Sequence, residues 1–326
     1  MLGRVANTIY WMNRYLERAE NYARFMDVNY NLSLELPPDE VAQWQPLVLI
    51  TGDWELFTSL YPKVEKNKVI YFLTFDKNNP NSILNCISSA RENARAVRAE
   101  ITKEVWEQIN ALYYLVKNSA VKKNQTDKQL RLFFTDIKNG CQLVYGMYYA
   151  TISRNEGWHF AKLGQLIERA DKTSRVLDAK YHFLLKSPKL IGSSLDLIQW
   201  AALLKSVSAY DMYRKKYGKL TPSGIAEFLI LDTEFPRSIL ACLLSAERCL
   251  VSLSGSSVGF SNNAQKQLGV LKSQLEYVDI NDIIAQGMHE YLDHIQLKLN
   301  AISSAIYNSF FSITPYVQES SQSQKQ

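Results

Sequence analysis

The stretch Glu17-Arg18-Ala19-Glu20-Asn21-Tyr22-Ala23-Arg24-Phe25-Met26-Asp27 returns 151 residues later as Glu168-Arg169-Ala170-Asp171-Lys172-Thr173-Ser174-Arg175-Val176-Leu177-Asp178. Glu, Arg, Ala, an acid, Arg and Asp recur in one order at one internal spacing. On a helix, residues at i, i+3, i+7 and i+10 share a face. Glu17, Glu20, Arg24 and Asp27 thus form one polar stripe, and Glu168, Asp171, Arg175 and Asp178 form its twin. A chain built this way places two like helices in like surroundings.

A second repeat extends the first. Phe72-Leu73-x-x-Asp76-x-x-x-Pro80-x-Ser82-Ile83-Leu84-x-Cys86-x-x-Ser89-Ala90 recurs as Phe228-Leu229-x-x-Asp232-x-x-x-Pro236-x-Ser238-Ile239-Leu240-x-Cys242-x-x-Ser245-Ala246, ten matches at an offset of 156. Trp44 and Trp200 match at that offset, as do Tyr61 and Tyr217. The increase from 151 to 156 fits one short insertion between the first and second helices of the second copy. The expected fold is all-α, a helical bundle made by tandem duplication of a roughly 150-residue unit. Residues 1–153 and 154–316 are the expected repeats, sharing one core across a pseudo-twofold axis. The Ser/Gln-rich segment 317–326 reads as a disordered tail.

Along the chain, Trp11, Met12, Tyr15, Ala19, Tyr22, Ala23 and Met26 make the apolar face of a helix over 4–36, which Pro37-Pro38 stop, with Asp39 placed to cap the next segment. Trp44 to Leu60 reads as a helix with a weak point at Gly52, ended by Tyr61-Pro62. Val69-Ile70-Tyr71-Phe72-Leu73-Thr74-Phe75 has strand composition. No partner strand is evident, and a lone strand is unstable, so the strand reading is rejected. Asp76 to Asn81 reads as a turn and Ser82 as an N-cap. Ile83 to Ser119 reads as one long helix, 122–128 as a loop, and Leu130 to Ser153 as a helix softened near Gly140 and Gly146. Arg154-Asn155-Glu156-Gly157 separates the halves, and a helix opening at Trp158 runs to Leu185, before Ser187-Pro188.

The stripes admit two readings. Glu20–Arg24 and Arg24–Asp27 are i,i+4 and i,i+3 pairs, each contributing only about 0.2–0.5 kcal/mol on an exposed helix. Yet the charged positions match between copies while apolar neighbours differ, Met12 against Leu163 and Tyr22 against Thr173. A freely solvated face would vary most. The stripes therefore form either a partly buried polar network or a ligand cleft, to which Arg14, Arg91 and Arg95 could add. Arg in such a cleft reads carboxylates or phosphates.

Other chemistries fit poorly. The acids lack His at di-metal spacing, and an Arg at i+4 is a poor neighbour for a cation, so no metal site is expected. The four histidines make no Ser-His-Asp or Cys-His case, and neither GxGxxG nor GxxxxGK[ST] occurs. Net charge is +5 with both signs interspersed, which excludes a basic nucleic-acid stripe. No uncharged apolar run is long enough for a membrane span. Cys86, Cys141, Cys242 and Cys249 include no CxxC pair and read as buried reduced thiols of a cytoplasmic protein without signal peptide.

Three segments together resemble the bacterial alpha-E domain family: Ile9-Tyr10-Trp11-Met12-Asn13-Arg14-Tyr15-Leu16-Glu17-Arg18-Ala19-Glu20, then Ala90-Arg91-Glu92-Asn93-Ala94-Arg95, then Leu163-Gly164-x-x-Ile167-Glu168-Arg169-Ala170-Asp171-x-Thr173-Ser174-Arg175. The resemblance covers nearly the whole chain. It implies an all-helical accessory part of systems containing a circularly permuted ATP-grasp ligase, and often a transglutaminase-like protein, sometimes on one polypeptide. The implied role is in forming or processing amide or peptide bonds. No cofactor of its own is expected; ATP and Mg2+ would belong to the partner ligase. Two rivals stand beside this reading: a stand-alone enzyme on a peptide or amino-acid derivative using paired carboxylates, and a purely structural scaffold.

Overall fold

The computed structural model describes residues 1–35, 40–122, 125–181, 193–255 and 259–312. Among these the secondary structure is helical throughout, with no strand. The first half comprises α1 (Gly3–Glu35), α2 (Glu40–Thr51), α3 (Trp54–Leu60), α4 (Lys66–Thr74), α5 (Ile83–Ala96), α6 (Lys103–Ala120) and α7 (Asp127–Thr151). The second comprises α8 (Glu156–Ala179), α9 (Ser194–Ser206), α10 (Tyr210–Tyr217), α11 (Pro222–Ile230), α12 (Ile239–Ser254), α13 (Asn263–Tyr277), α14 (Ile280–Gln286) and α15 (Met288–Ile306). A π-helical turn, Tyr307–Phe311, closes it.

Helices α1 and α8 are the centre. α5 and α7 pack on α1, with α6 behind them; α12 and α15 pack on α8, with α13 behind them. Each half also reaches across: α9 packs on α1 and α2 on α8. Arg14 meets Glu168 and Glu17 meets Arg169, while Gly164 lies against Tyr10, so the contacts advance in the same direction along both helices. The two central helices run parallel, in one continuous apolar core that spans both halves.

Details recur between the halves at the offsets read from the sequence. Phe57, Tyr61 and Phe72 form an aromatic triad with interplanar angles of 31°, 79° and 80°. Tyr213, Tyr217 and Phe228 form another, at 11°, 71° and 78°. Trp44 and Trp200 are both fully buried. Ser82 caps α5 by accepting from Asn85 N, and Ser238 caps α12 by accepting from Ala241 N. Gly52 and Ser208, also 156 apart, both have positive φ, 80° and 53°. All four cysteines are free and buried.

Several boundaries differ from the sequence reading. The stretch Trp44–Leu60 breaks at Gly52 into α2 and α3, as that glycine's left-handed backbone requires. The strand-like segment at 69–75 lies in α4 and its C-cap, with Val69, Ile70, Phe72 and Leu73 buried; tertiary burial overrides β propensity there. The expected single helix from Ile83 to Ser119 is two. α5 ends at Ala96, and Thr102 starts α6 by accepting from Val105 N. Conversely α7 runs unbroken through Gly140 and Gly146. Gly140 serves close packing instead, since a Cβ there would sit 2.5 Å from Leu112 Cδ2 of α6. Pro37-Pro38, Asp39, Leu185, Ser187-Pro188 and the 317–326 tail lie outside the described residues.

Candidate functional site

The two ER pairs exchange partners across the α1–α8 contact. Arg18 donates Nε to Glu168 Oε1 at 2.7 Å and Nη2 to Oε2 at 3.0 Å. Arg169 donates Nε to Glu17 Oε1 and Nη2 to Oε2, both at 2.9 Å. Each is a bidentate fork with the same atom pairing, the strongest form a guanidinium–carboxylate bond takes. Glu17, Glu20 and Glu168 are all 0% exposed.

Further donors complete the shells, and here the halves diverge. Glu17 also accepts from Arg237 Nη1 at 3.1 Å and Asn21 Nδ2 at 3.2 Å. Glu168 instead has Arg14 Nε at 2.8 Å and Lys172 Nζ at 3.6 Å. Arg237 grips both oxygens of Glu20 at 2.8 and 2.9 Å, and Arg24 donates to the same carboxylate. Asp171 pairs with Lys172 at 2.9 Å and with Arg175 at 3.0 Å. Arg24 then reaches Ser208 Oγ, and Arg175 lies against Gly52, so each stripe arginine touches the positive-φ turn of the other half.

Sequence-read residues thus fall into three groups. Glu17, Glu20, Arg24, Glu168, Asp171, Arg175 and Arg14 gather in this network. Asp27 and Asp178 sit farther along α1 and α8, on Lys138 of α7 and His289 of α15. Arg91 and Arg95 go elsewhere: Arg91 bonds Asn110 and lies 4.4 Å over the Tyr113 ring, and Arg95 bridges Glu92 at the surface. Arg18 and Arg169 were visible in the repeat but lie off the i, i+3, i+7 stripe. Arg237 carried no signal, because its counterpart at the 156 offset is Asn81, which accepts from Arg18 instead.

Burial pushes the Glu17 carboxyl up, but Arg169 and Arg237, with hydrogen bonds from Arg169 and Asn21, more than offset that and bring it to about 2. Burial likewise works against ionisation of Glu168, and Arg18, Arg14 and Lys172 overcome it, holding the group well below the usual range. Asp171 is lowered against its burial by Lys172 and Arg175. A carboxylate lowered by folding adds stability that is complete above its unfolded value and drains away as pH falls toward the folded one. For Glu17 that window runs from the ordinary 4.5 down to about 2. Denaturant titrations at stepped pH should therefore show stability falling steadily as pH drops below the usual carboxylate range. A protein equally stable across that acid window would contradict the pairing.

A cleft opens beside the Glu17 side of the network, between α7, α8 and the α11–α12 turn. It has a volume of about 370 Å3, and its lining among the described residues includes Lys162, Arg169 and Arg237 but no carboxylate. Tyr145, Tyr148, Tyr149 and Trp158 supply aromatic surface. The hydroxyl of Tyr145 is buried without a hydrogen-bond partner among the described residues, and that of Tyr148 lies against the Asn13 side chain.

No helix among the described residues is long and apolar enough to cross a membrane. A family model described as a predicted alpha-helical domain with a conserved ER motif, Alpha-E, matches residues 1–311. The chain is similar to an uncharacterised Mycobacterium bovis protein, 23% identical over 319 residues, covering 91% of this chain and 35% of the relative. Two uncharacterised Mycobacterium tuberculosis proteins match over the same length and shares at 23% and 22% identity. The chain spans about a third of the length of these curated relatives. No solved structure gives a significant match. With its ER pairs interlocked at the α1–α8 contact and the family match running over nearly its whole length, the chain belongs to the Alpha-E family.

Proposed function

We propose that the chain is an accessory helical module working in the cytoplasm with a ligase of the ATP-grasp type, and in some systems with a transglutaminase-like protein, in forming or processing amide or peptide bonds. The observation that carries the reading is the 35% share: this helical body corresponds to one part of much longer relatives, so it works there beside other domains. The sequence resemblance supplies the class of the partner. ATP and Mg2+ would be held by that ligase. The module presents a carboxylate- or amine-bearing substrate, while Glu17, Glu20, Glu168 and Asp171 with their arginines hold the frame of the site.

A stand-alone acid–base enzyme on the stripe carboxylates is the weaker reading. General acid catalysis needs a carboxyl raised toward neutrality, and Glu17, Glu168 and Asp171 are all lowered. We infer also that the two halves derive from one duplicated unit. The matched aromatic triads, the exchanged ER forks and the arginine contacts to Gly52 and Ser208 support this.

A tagged pull-down from the native host, read by mass spectrometry, tests the partner assignment. An ATP-grasp-type protein is expected at near-equal stoichiometry. Recovery of the chain by itself would count against it.

A further inference from the structure

We propose that the cleft between α7, α8 and the α11–α12 turn is a binding site for a small organic monocarboxylate, with the Lys162 ammonium as its charged anchor. This inference goes beyond the accessory-module reading and does not depend on the partner, because the isolated chain contains every residue invoked.

Charge selects the ligand class. In the network behind the cleft, Arg14, Arg18, Arg24, Arg169, Lys172, Arg175 and Arg237 pair, among the described residues, with Glu17, Glu20, Glu168 and Asp171. The excess is positive, and among the described residues no carboxylate lines the cleft itself. Lys162 adds another cation, and its Nζ makes a 2.9 Å bond to Gln165 Oε1. An ammonium has three donors, so two remain for a ligand. Burial, then the nearby Arg169, depresses its ammonium form, and Glu17 offsets this only in part; a ligand anion beside it would favour the charged form further.

The hydroxyls narrow the choice. Tyr145 lines the cleft, and its hydroxyl is buried with no hydrogen-bond partner among the described residues; Tyr148, 6% exposed, adds a second hydroxyl, which lies against the Asn13 side chain. Unpartnered buried polar atoms are costly, and a small shift of the Tyr145 ring would let a ligand oxygen at the floor of the cleft satisfy its hydroxyl. Arg169 and Arg237 are already forked onto Glu17 and Glu20, so they add field rather than open guanidinium forks. A phosphate dianion would want such forks. One ammonium with hydroxyl donors suits a carboxylate. Trp158 and Tyr149 offer apolar surface to the rest of the molecule, with Arg154 at 5.6 and 5.4 Å from their ring centres. The volume of about 370 Å3 is at the small end for a ligand pocket and fits an acylated amino acid.

The test is ligand-observed NMR and calorimetry on the full chain at fixed ionic strength. The probes are N-acetylglycine, N-acetyl-L-leucine and N-acetyl-L-phenylalanine, their primary amides, and inorganic phosphate. At least one acid should bind about tenfold or more tighter than its amide, and phosphate should not displace it. Lys162→Gln should weaken that acid by about tenfold or more and Lys162→Arg should largely retain it. Tyr145→Phe, which removes only the unpartnered hydroxyl, should weaken it without lowering the melting temperature, and it carries the test should Lys162→Gln not fold. The proposal is overturned if no acid binds up to about 20 mM, if amides bind equally, if phosphate displaces the acid, or if these variants bind as the parent does.

Discussion

Replacing Glu17 by alanine should remove about 3–5 kcal/mol of stability. The side chain is 0% exposed and accepts from Arg169 through both oxygens, from Arg237 and from Asn21. Without it the Arg169 guanidinium stays buried with Pro236 O as its remaining acceptor at 3.4 Å. The cost lies in that stranded charge rather than in the pair itself, since swapping a whole buried ion pair for apolar residues is often neutral. Glu168→Ala should behave alike, because Arg18 and Arg14 converge on it. Glu92→Ala is the control: its bridges to Arg91 and Arg95 are half-exposed, and the change should stay within about 0.5 kcal/mol. Urea denaturation of the three variants beside the parent checks this. A Glu17→Ala protein as stable as the Glu92→Ala control would refute the buried network.

Gly164→Ala should be the second large effect. A Cβ there would lie 2.3 Å from the Tyr10 carbonyl oxygen and 3.1 Å from its carbon. Backbone atoms of α1 cannot swing aside as a flexible side chain can, so α1 and α8 must separate. Overpacking of this kind costs about 1–3 kcal/mol and occasionally more. The ER forks would be stretched by the same shift, which couples the packing defect to the ion pairs. Gly146→Ala, inside α7 with nothing within 4 Å of the added atom, should instead gain about 0.5–1 kcal/mol from helix propensity. Thermal melts of both variants decide it. A neutral Gly164→Ala would mean that the central helices do not approach this closely.

Much of the frame could be read from the residues because the two halves repeat it. Ser82 reads as an N-cap and is one, its repeat match Ser238 caps α12 as well, and the weak point at Gly52 is the α2–α3 break. Even so, Ser208, the residue 156 positions after Gly52, has no glycine signature, and only the structure shows its positive φ. The α5–α6 break escaped because an apolar period continues through Val97 and Ile101, both buried in the turn, and a Thr N-cap alone does not outweigh it. The glycines of α7 misled in the opposite sense. Gly140 is demanded by Leu112 across the helix pair, a contact between distant stretches of chain. The stripes were legible as residues but not as an environment. Spacing along one helix put Glu17 and Glu168 on matching stripes, while their principal partners come from the opposite helix and, for Arg237, from a turn 220 residues away. The cleft was not legible at all: Lys162, Tyr145 and Tyr148 belong to no repeat and meet only when α7 packs beside α8.

The exchanged forks give the ion pairs a role in specificity. A slip of α1 along α8 by one turn, about 5.4 Å, would uncouple Glu17 from Arg169 and Glu168 from Arg18 together. Parallel helices with apolar faces alone could settle in several registers; two Glu-Arg pairs that exchange partners favour one. This is the use of buried polar groups best attested in helical assemblies.

The most direct measurement is a double-mutant cycle on Glu17→Ala and Arg169→Ala by chemical denaturation. Both singles should be strongly destabilised, and the double variant should be more stable than their sum implies, by about 0.5–3 kcal/mol. Additive losses within about 0.5 kcal/mol would mean that the glutamate of the first ER pair and the arginine of the second do not meet, and the interlocked centre of this fold would be wrong.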